Sequence, residues 1–173
     1  MALKDNLSYT VFLTEAGWIG LLGSSRGLSR TTLPQKSKEA AALSLGKTIH
    51  QAVNHPEQFP DLIEQYQAYF KGYAVDFSEK LNLSQATRFE RAVWETTRRI
   101  PRGETRSYGW VADQIGQRLA SRAVGQALGR NPLPIIIPCH RVLTGSGKLG
   151  GFGGGLVMKQ YLLKLEAGKS LIT

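Results

Sequence analysis

Residues 121–142 read SRAVGQALGRNPLPIIIPCHRV, and this string fixes the layout of the C-terminal half. A helix over 121–128 carries the small residues Ala123, Gly125 and Ala127 beside Arg122, Gln126 and Arg130, and Gly129 ends it. The chain then cannot stay helical. Pro132, Pro134 and Pro138 remove backbone donors and push the residues before them into extended conformations, so Ile135, Ile136 and Ile137 form a short buried run that ends on Cys139. A cysteine beside a histidine has two readings. Cys139 is a small buried hydrophobe, or it is a nucleophile whose thiolate character His140 controls. Neighbouring side chains of an extended segment point opposite ways, so coupling between the two would run through a water.

Working outward, LGGFGGG over 149–155 leaves backbone amides unobstructed for a ligand, and a closing helix over 156–167 stops at Gly168. Upstream, Thr87 and Glu90 have capping-box spacing, and Phe89, Ala92, Val93, Thr96, Thr97 and Ile100 recur at helical intervals until Pro101. Ser107 caps a short helix through Ile115. These three short helices with tight joints resemble a helix-turn-helix unit. The first half differs. Apolar runs over 9–13 and 17–22, and a short one after Gly27, predict a small antiparallel sheet, with helices over 37–53 and 60–71 and residues 75–83 completing the sheet. His50 and His55 are five apart, off the spacing that puts two ligands on one helical face, and read as surface or capping residues. The expected fold class is α+β: an N-terminal α/β domain over 1–83 and a mostly helical domain over 84–173 with a winged helix-turn-helix-like unit.

Charge separates the halves more sharply than composition does. Residues 1–83 hold 8 basic and 8 acidic side chains, residues 84–173 hold 14 and 5, so the net +9 lies entirely in the second half. A polyanion is the natural partner, because Lys and Arg that neutralise phosphates release counterions. With 42% hydrophobic and 20% charged residues the 173-residue chain is not a disordered polymer. One cysteine excludes an intramolecular disulfide and a cysteine-built zinc site, and suits a reducing cytosol. No apolar run reaches the roughly 18 residues of a membrane span, and MALKDNLSYT lacks a basic segment followed by an apolar one. A monomer free of membranes, in the cytoplasm and associated with the nucleoid (or with the nucleus in a eukaryote), is expected.

PCHRV at 138–142 resembles the active-site signature of the O6-alkylguanine-DNA alkyltransferases, the methylated-DNA–protein-cysteine methyltransferases. RAVGQALGRNPLPIIIPCHRV, the following GG, KQYLLKLE, TRFERAVW and IPRGETRSYGWVA are similar to that family in order and spacing, and the N-terminal half is so in outline. The resemblance implies direct, stoichiometric repair of O6-alkylguanine in double-stranded DNA, chiefly O6-methylguanine, without a cofactor or metal. Cys139 would accept the alkyl group, His140 would serve as its base through a water, Glu166 would orient the imidazole, and Asn131 would brace the cysteine loop. Tyr108 would donate to the departing guanine at N3. Arg122 would enter the duplex where the nucleotide flips out, with Ser121, Ala123, Gln126, Arg130 and Arg141 also on the DNA. Val142, Gly150, Phe152, Gly153 and Lys159 would line the pocket, with the carbonyls of Cys139 and Val142 reading the exocyclic amine. Where family members often carry a hydroxyl-bearing or larger side chain on the pocket wall, this chain has Gly153, which implies a wider pocket.

The chemistry points the same way. A base modified at O6 lies within the stack, so a protein acting on it must extrude the nucleotide at a cost of a few kcal/mol. Two other classes compete with this reading. A recognition protein that flips alkylguanine without accepting the alkyl group would not need Cys139, and a Cys-His hydrolase would leave the basic half unused.

Overall fold

The computed structural model describes residues 6–168. The chain forms two compact units, Met1–Leu83 and Ser84–Thr173.

In the first unit β1 (Ser8–Thr14), β2 (Gly17–Ser24) and β3 (Gly27–Thr31) make an antiparallel meander, and β4 (Val53–Asn54) adds to β1 in parallel, giving the order β3-β2-β1-β4. Register is continuous from Ser8↔Gly23 to Thr14↔Gly17, and a bulge at Leu22/Gly23 bends β2 against β3. Helices α1 (Lys38–Ser44) and α2 (Pro60–Phe70) pack on this sheet. Ile19, Leu21, Leu45, Leu62, Tyr66 and Tyr69 are buried there. Tyr66 forms an edge contact with Phe12, their ring centroids 6.0 Å apart.

Two expectations for this unit fail. The helix over 37–53 is only α1, capped by Ser37 Oγ accepting from the Ala40 amide. Gly46, at φ 84°, breaks it, and a 3-10 turn, Lys47–Gln51, leads into β4. The left-handed backbone that only glycine takes cheaply lets the chain turn back to the sheet edge. Residues 75–83 do not form the closing strand. They touch β3 through a single bridge at Leu81, with Leu28 N–H donating to Lys80 O and Asn82 N–H to Leu28 O. The edge of β1 is taken by Val53–Asn54 instead.

The second unit holds α3 (Arg88–Arg98), β5 (Arg106–Ser107), α4 (Tyr108–Gln114), α5 (Ser121–Gly129), β6 (Val142–Leu143) and α6 (Leu156–Glu166). The capping box forms: Thr87 Oγ1 accepts from the Glu90 amide at 3.2 Å, and a Glu90 carboxylate oxygen accepts from the Thr87 amide at 2.9 Å. Ser107 caps α4 by accepting from the Trp110 amide. Helices α3, α4 and α5 pack on one another around Val93, Trp94, Val111, Ala112, Val124 and Ala127, all buried. The Trp94 indole N–H donates to Ala127 O at 2.9 Å, an anchor between α3 and α5. Parallel pairing of β5 with β6 (Arg106↔Val142, Ser107↔Leu143) ties the strand before Tyr108 to the strand after Cys139. Among the described residues no helix is long and apolar enough to cross a membrane.

Candidate active site

The chain leaves α5 with the Asn131 amide donating to Leu128 O, and the Asn131 side chain then closes the loop that follows. Its Nδ2 donates to Ile137 O at 2.8 Å, and its Oδ1 accepts from the Leu133 amide at 2.9 Å. Between these two ties Ile135 sits at φ 76°, the one non-glycine residue in the left-handed region among those described. For a β-branched residue that geometry costs about 1–2 kcal/mol. The Asn131 clamp, the Ile137 amide donating to Leu133 O, and burial of all three isoleucines hold it. Cys139 follows as the first residue of a 3-10 turn, Cys139–Arg141, rather than the end of an extended strand, and it is buried.

His140 is fully buried, and its Nε2 lies 2.7 Å from Glu166 Oε1. Burial raises the Glu166 carboxyl, but hydrogen bonds and charge from His140 and Arg141 outweigh it and hold the group far below the ordinary carboxylate range. Glu166 is therefore an anion, and Nε2 carries the proton it accepts. Burial holds the imidazole below its ordinary value against the opposing pull of Glu166, so His140 rests neutral. Nδ1 is then a lone-pair base, buried and with no hydrogen bond to the protein.

The resting thiol is protonated as well. Burial raises Cys139, opposed by the Asn131 hydrogen bond and the charge of Lys159. Lys159 is buried in α6, where burial lowers its ammonium and the cysteine's charge opposes this. Its Nζ donates to Val142 O at 2.7 Å, to Leu149 O, and to Gly151 O at 3.4 Å, fastening both ends of the loop after the cysteine. It also lies 5.8 Å from the Tyr108 ring centroid and 5.9 Å from that of Phe152. Lys159 thus supports the loop through three backbone carbonyls.

Tyr108 opens α4 under the glycine loop, with Oη 3.5 Å from Gly151 O. Burial raises its phenol, and charge on Cys139 raises it further, so it is a hydrogen-bond donor at neutral pH. The loop passes over it so closely that a Cβ on Gly150 (φ 69°) would lie 2.8 Å from Tyr108 Oη. Gly153 has no such constraint: nothing lies within 4 Å of its notional Cβ, and the position is exposed.

On α5, Arg122, Gln126 and Arg130 share one exposed face at i, i+4, i+8, while Ser121 and Ala123 are half-buried at its margin. Arg130 is not idle, since its Nε donates to a Glu90 oxygen at 2.6 Å. Arg141 departs from expectation. Its side chain is 12% exposed; Nε and Nη2 donate to the two Glu166 oxygens at 2.8 and 2.9 Å, and Nη1 donates to Ile100 O. It neutralises the buried carboxylate, and its guanidinium is turned into the protein. Neither this inward role nor the Trp94 anchor has a local sequence signal, because their partners lie 25 and 33 residues away. Among the described residues no cluster of three or more His, Cys, Asp or Glu could hold a metal ion.

The family model for the 6-O-methylguanine DNA methyltransferase DNA-binding domain matches residues 88–168. A methylated-DNA–protein-cysteine methyltransferase of Methanosarcina acetivorans is 40% identical over 158 residues, covering 91% of this chain and 97% of the relative. One from Mycolicibacterium paratuberculosis is 52% identical over 112 residues, 65% of this chain and 67% of that one. The crystal structure of Mycobacterium tuberculosis OGT in complex with DNA superposes with a TM-score of 0.81 at 39% identity, covering 93% of both chains.

Proposed function

The chain belongs to the O6-methylguanine DNA methyltransferase family, and from that premise we propose that it takes one alkyl group from guanine O6 in duplex DNA onto Cys139, irreversibly. Its activity is transfer of a methyl group from methylated DNA to a protein cysteine, in DNA repair. The observation that carries the residue-level reading is a buried thiol followed directly in the chain by a neutral histidine whose Nε2 is held by Glu166 and whose buried Nδ1 has no hydrogen bond to the protein.

In the proposed step the Cys139 proton passes to His140 Nδ1 through one solvent molecule, and sulfur attacks the alkyl carbon in line with the C–O6 bond. The S–C bond forms as the C–O6 bond breaks, and the electron pair leaves on guanine. Tyr108 donates a hydrogen bond or proton at N3 as that charge develops, since a guanine anion is otherwise a poor leaving group. Imidazolium formation is stabilised by Glu166, already ionised beside it. The exposed face of α5 meets the duplex, and Arg122 occupies the stack left by the extruded nucleotide. Residues 84–173 are the DNA-binding and transfer domain, and residues 1–83 are structural. One chain carries every residue named, so a monomer suffices for each lesion.

Incubation with a duplex containing a single O6-methylguanine, followed by peptide mapping, tests the reading. The expected result is one added methyl on the peptide containing Cys139, none on Cys139→Ser, and a burst equal to the protein concentration with no later turnover. Continued turnover, or a methyl on another residue, would overturn it.

A further inference from the structure

Four backbone hydrogen bonds shape the turn joining α4 to α5. The Ile115 amide donates to Val111 O, that of Gly116 to Asp113 O, that of Gln117 to Ala112 O at 2.8 Å, and that of Ala120 to Gln117 O at 2.9 Å. The last of these closes a four-residue turn over residues 117–120, with Arg118 and Leu119 at its corners. Arg118 is tied back, its Nε donating to Asp113 Oδ1 at 2.6 Å. Leu119 is 102% exposed, more than any other large apolar side chain described.

A single exposed leucine means nothing by itself. Its placement is what matters here. It sits at the tip of this turn, two residues before the start of α5 and three before Arg122, within the half that carries the whole net charge. In a helix-turn-helix unit the N-terminal end of the second helix approaches the duplex. The surrounding Arg118 and Arg122 suit phosphates, and the turn between them presents an apolar side chain where the sugars and base edges of the groove lie.

We propose that Leu119 is a DNA-contacting residue that enters the groove beside α5 and buries its side chain against the sugar-and-base wall, adding a nonionic contact next to Arg122. The proposal rests on the reading that the exposed face of α5 meets duplex DNA. Apolar side chains wedged at base steps are an established means of holding a distorted duplex, and a distorted duplex is what nucleotide extrusion requires. The contact releases no counterions, so it has a signature that an arginine contact lacks: it changes affinity without changing the salt dependence.

The test compares full-length wild type with Leu119→Ser and Leu119→Met on a duplex too short for two copies, titrated across a range of salt. Leu119→Ser should weaken binding about tenfold, the scale of burying most of a leucine side chain. The slope of log affinity against log salt should match wild type, and so should the melting temperature, because the residue makes no fold contact. Leu119→Met should stay within about twofold of wild type, having kept an apolar side chain of similar volume. Unchanged affinity in Leu119→Ser would overturn the proposal. So would a shallower salt slope, which would trace the loss to Arg118 or Arg122. A loss seen only on duplexes long enough for several copies would overturn it too, and would assign Leu119 to contact between neighbouring proteins. If the wild type neither bound duplex nor became alkylated, the underlying reading would fall first and would be recognised by that result.

Discussion

Arg141 Nε and Nη2 grip the two oxygens of Glu166, at 2.8 and 2.9 Å, and the oxygen on Nη2 is the one that receives His140 Nε2. The residue after the histidine thus spends its charge on the histidine's own partner.

Arg141→Ala should therefore act on stability. Breaking a buried pair leaves Glu166 short of a counter-charge, at a cost of about 3 kcal/mol. Urea unfolding measures this, and the salt slope of DNA binding should be that of wild type. A slope reduced by about 0.9, the value of one phosphate contact, would put Arg141 on the DNA after all.

The transfer rate should be flat across neutral pH. His140 is held below its ordinary 6.5 and Cys139 above its ordinary 9.0, so neutral imidazole and thiol persist throughout the interval between. The acid limb, where the imidazole gains its proton, should lie below 6.5. Single-turnover rates with excess duplex would show this. A steady climb through neutrality, as for a thiolate titrating freely, would contradict it.

Lys159→Met keeps the length of the side chain and removes the donor that fastens Val142, Leu149 and Gly151. Transfer should slow about tenfold or more, because small misplacements of a reacting group are costly. Duplex affinity should stay within a few fold. An unaltered transfer rate would show that the loop is positioned without the lysine.

Gly150→Ala should destabilise by about 1–2 kcal/mol, combining a left-handed backbone with a Cβ set against Tyr108. Gly153→Ala, with open space around it, should change the melting temperature little. Thermal unfolding of the two variants side by side settles this. Equal effects would mean that the loop does not press on Tyr108.

Arg122→Ala should slow repair of duplex more than reaction with free O6-alkylguanine base, since only the duplex has a stack to fill. Comparable losses on both would remove Arg122 from nucleotide extrusion.

The second half was the more legible from sequence. Its signals are local: a Thr87/Glu90 box three residues apart, Ser107 before a short helix, and prolines that forbid any regular element around the isoleucines. The first half was less so, because which segment pairs with an open sheet edge is a contest between distant stretches. Residues 75–83 have the alternation of a strand, yet they meet β3 at a single bridge, while Val53–Asn54 pairs with β1 at the other edge after the break at Gly46. Within the proposed site, Cys139 and Glu166 stand out in the sequence through the resemblance alone. The inward turn of Arg141 does not, since an arginine beside a histidine looks the same in sequence whether it faces a phosphate or a carboxylate. What decides it is the position of Glu166 one helix away.

The depth at which Cys139 sits has a consequence for the idle molecule. A protein spent by one encounter must last until that encounter comes, among peroxides and disulfides that attack thiolates. Burial keeps its sulfur as the thiol, which such reagents engage slowly. The chain's single shot is kept in a safe chamber.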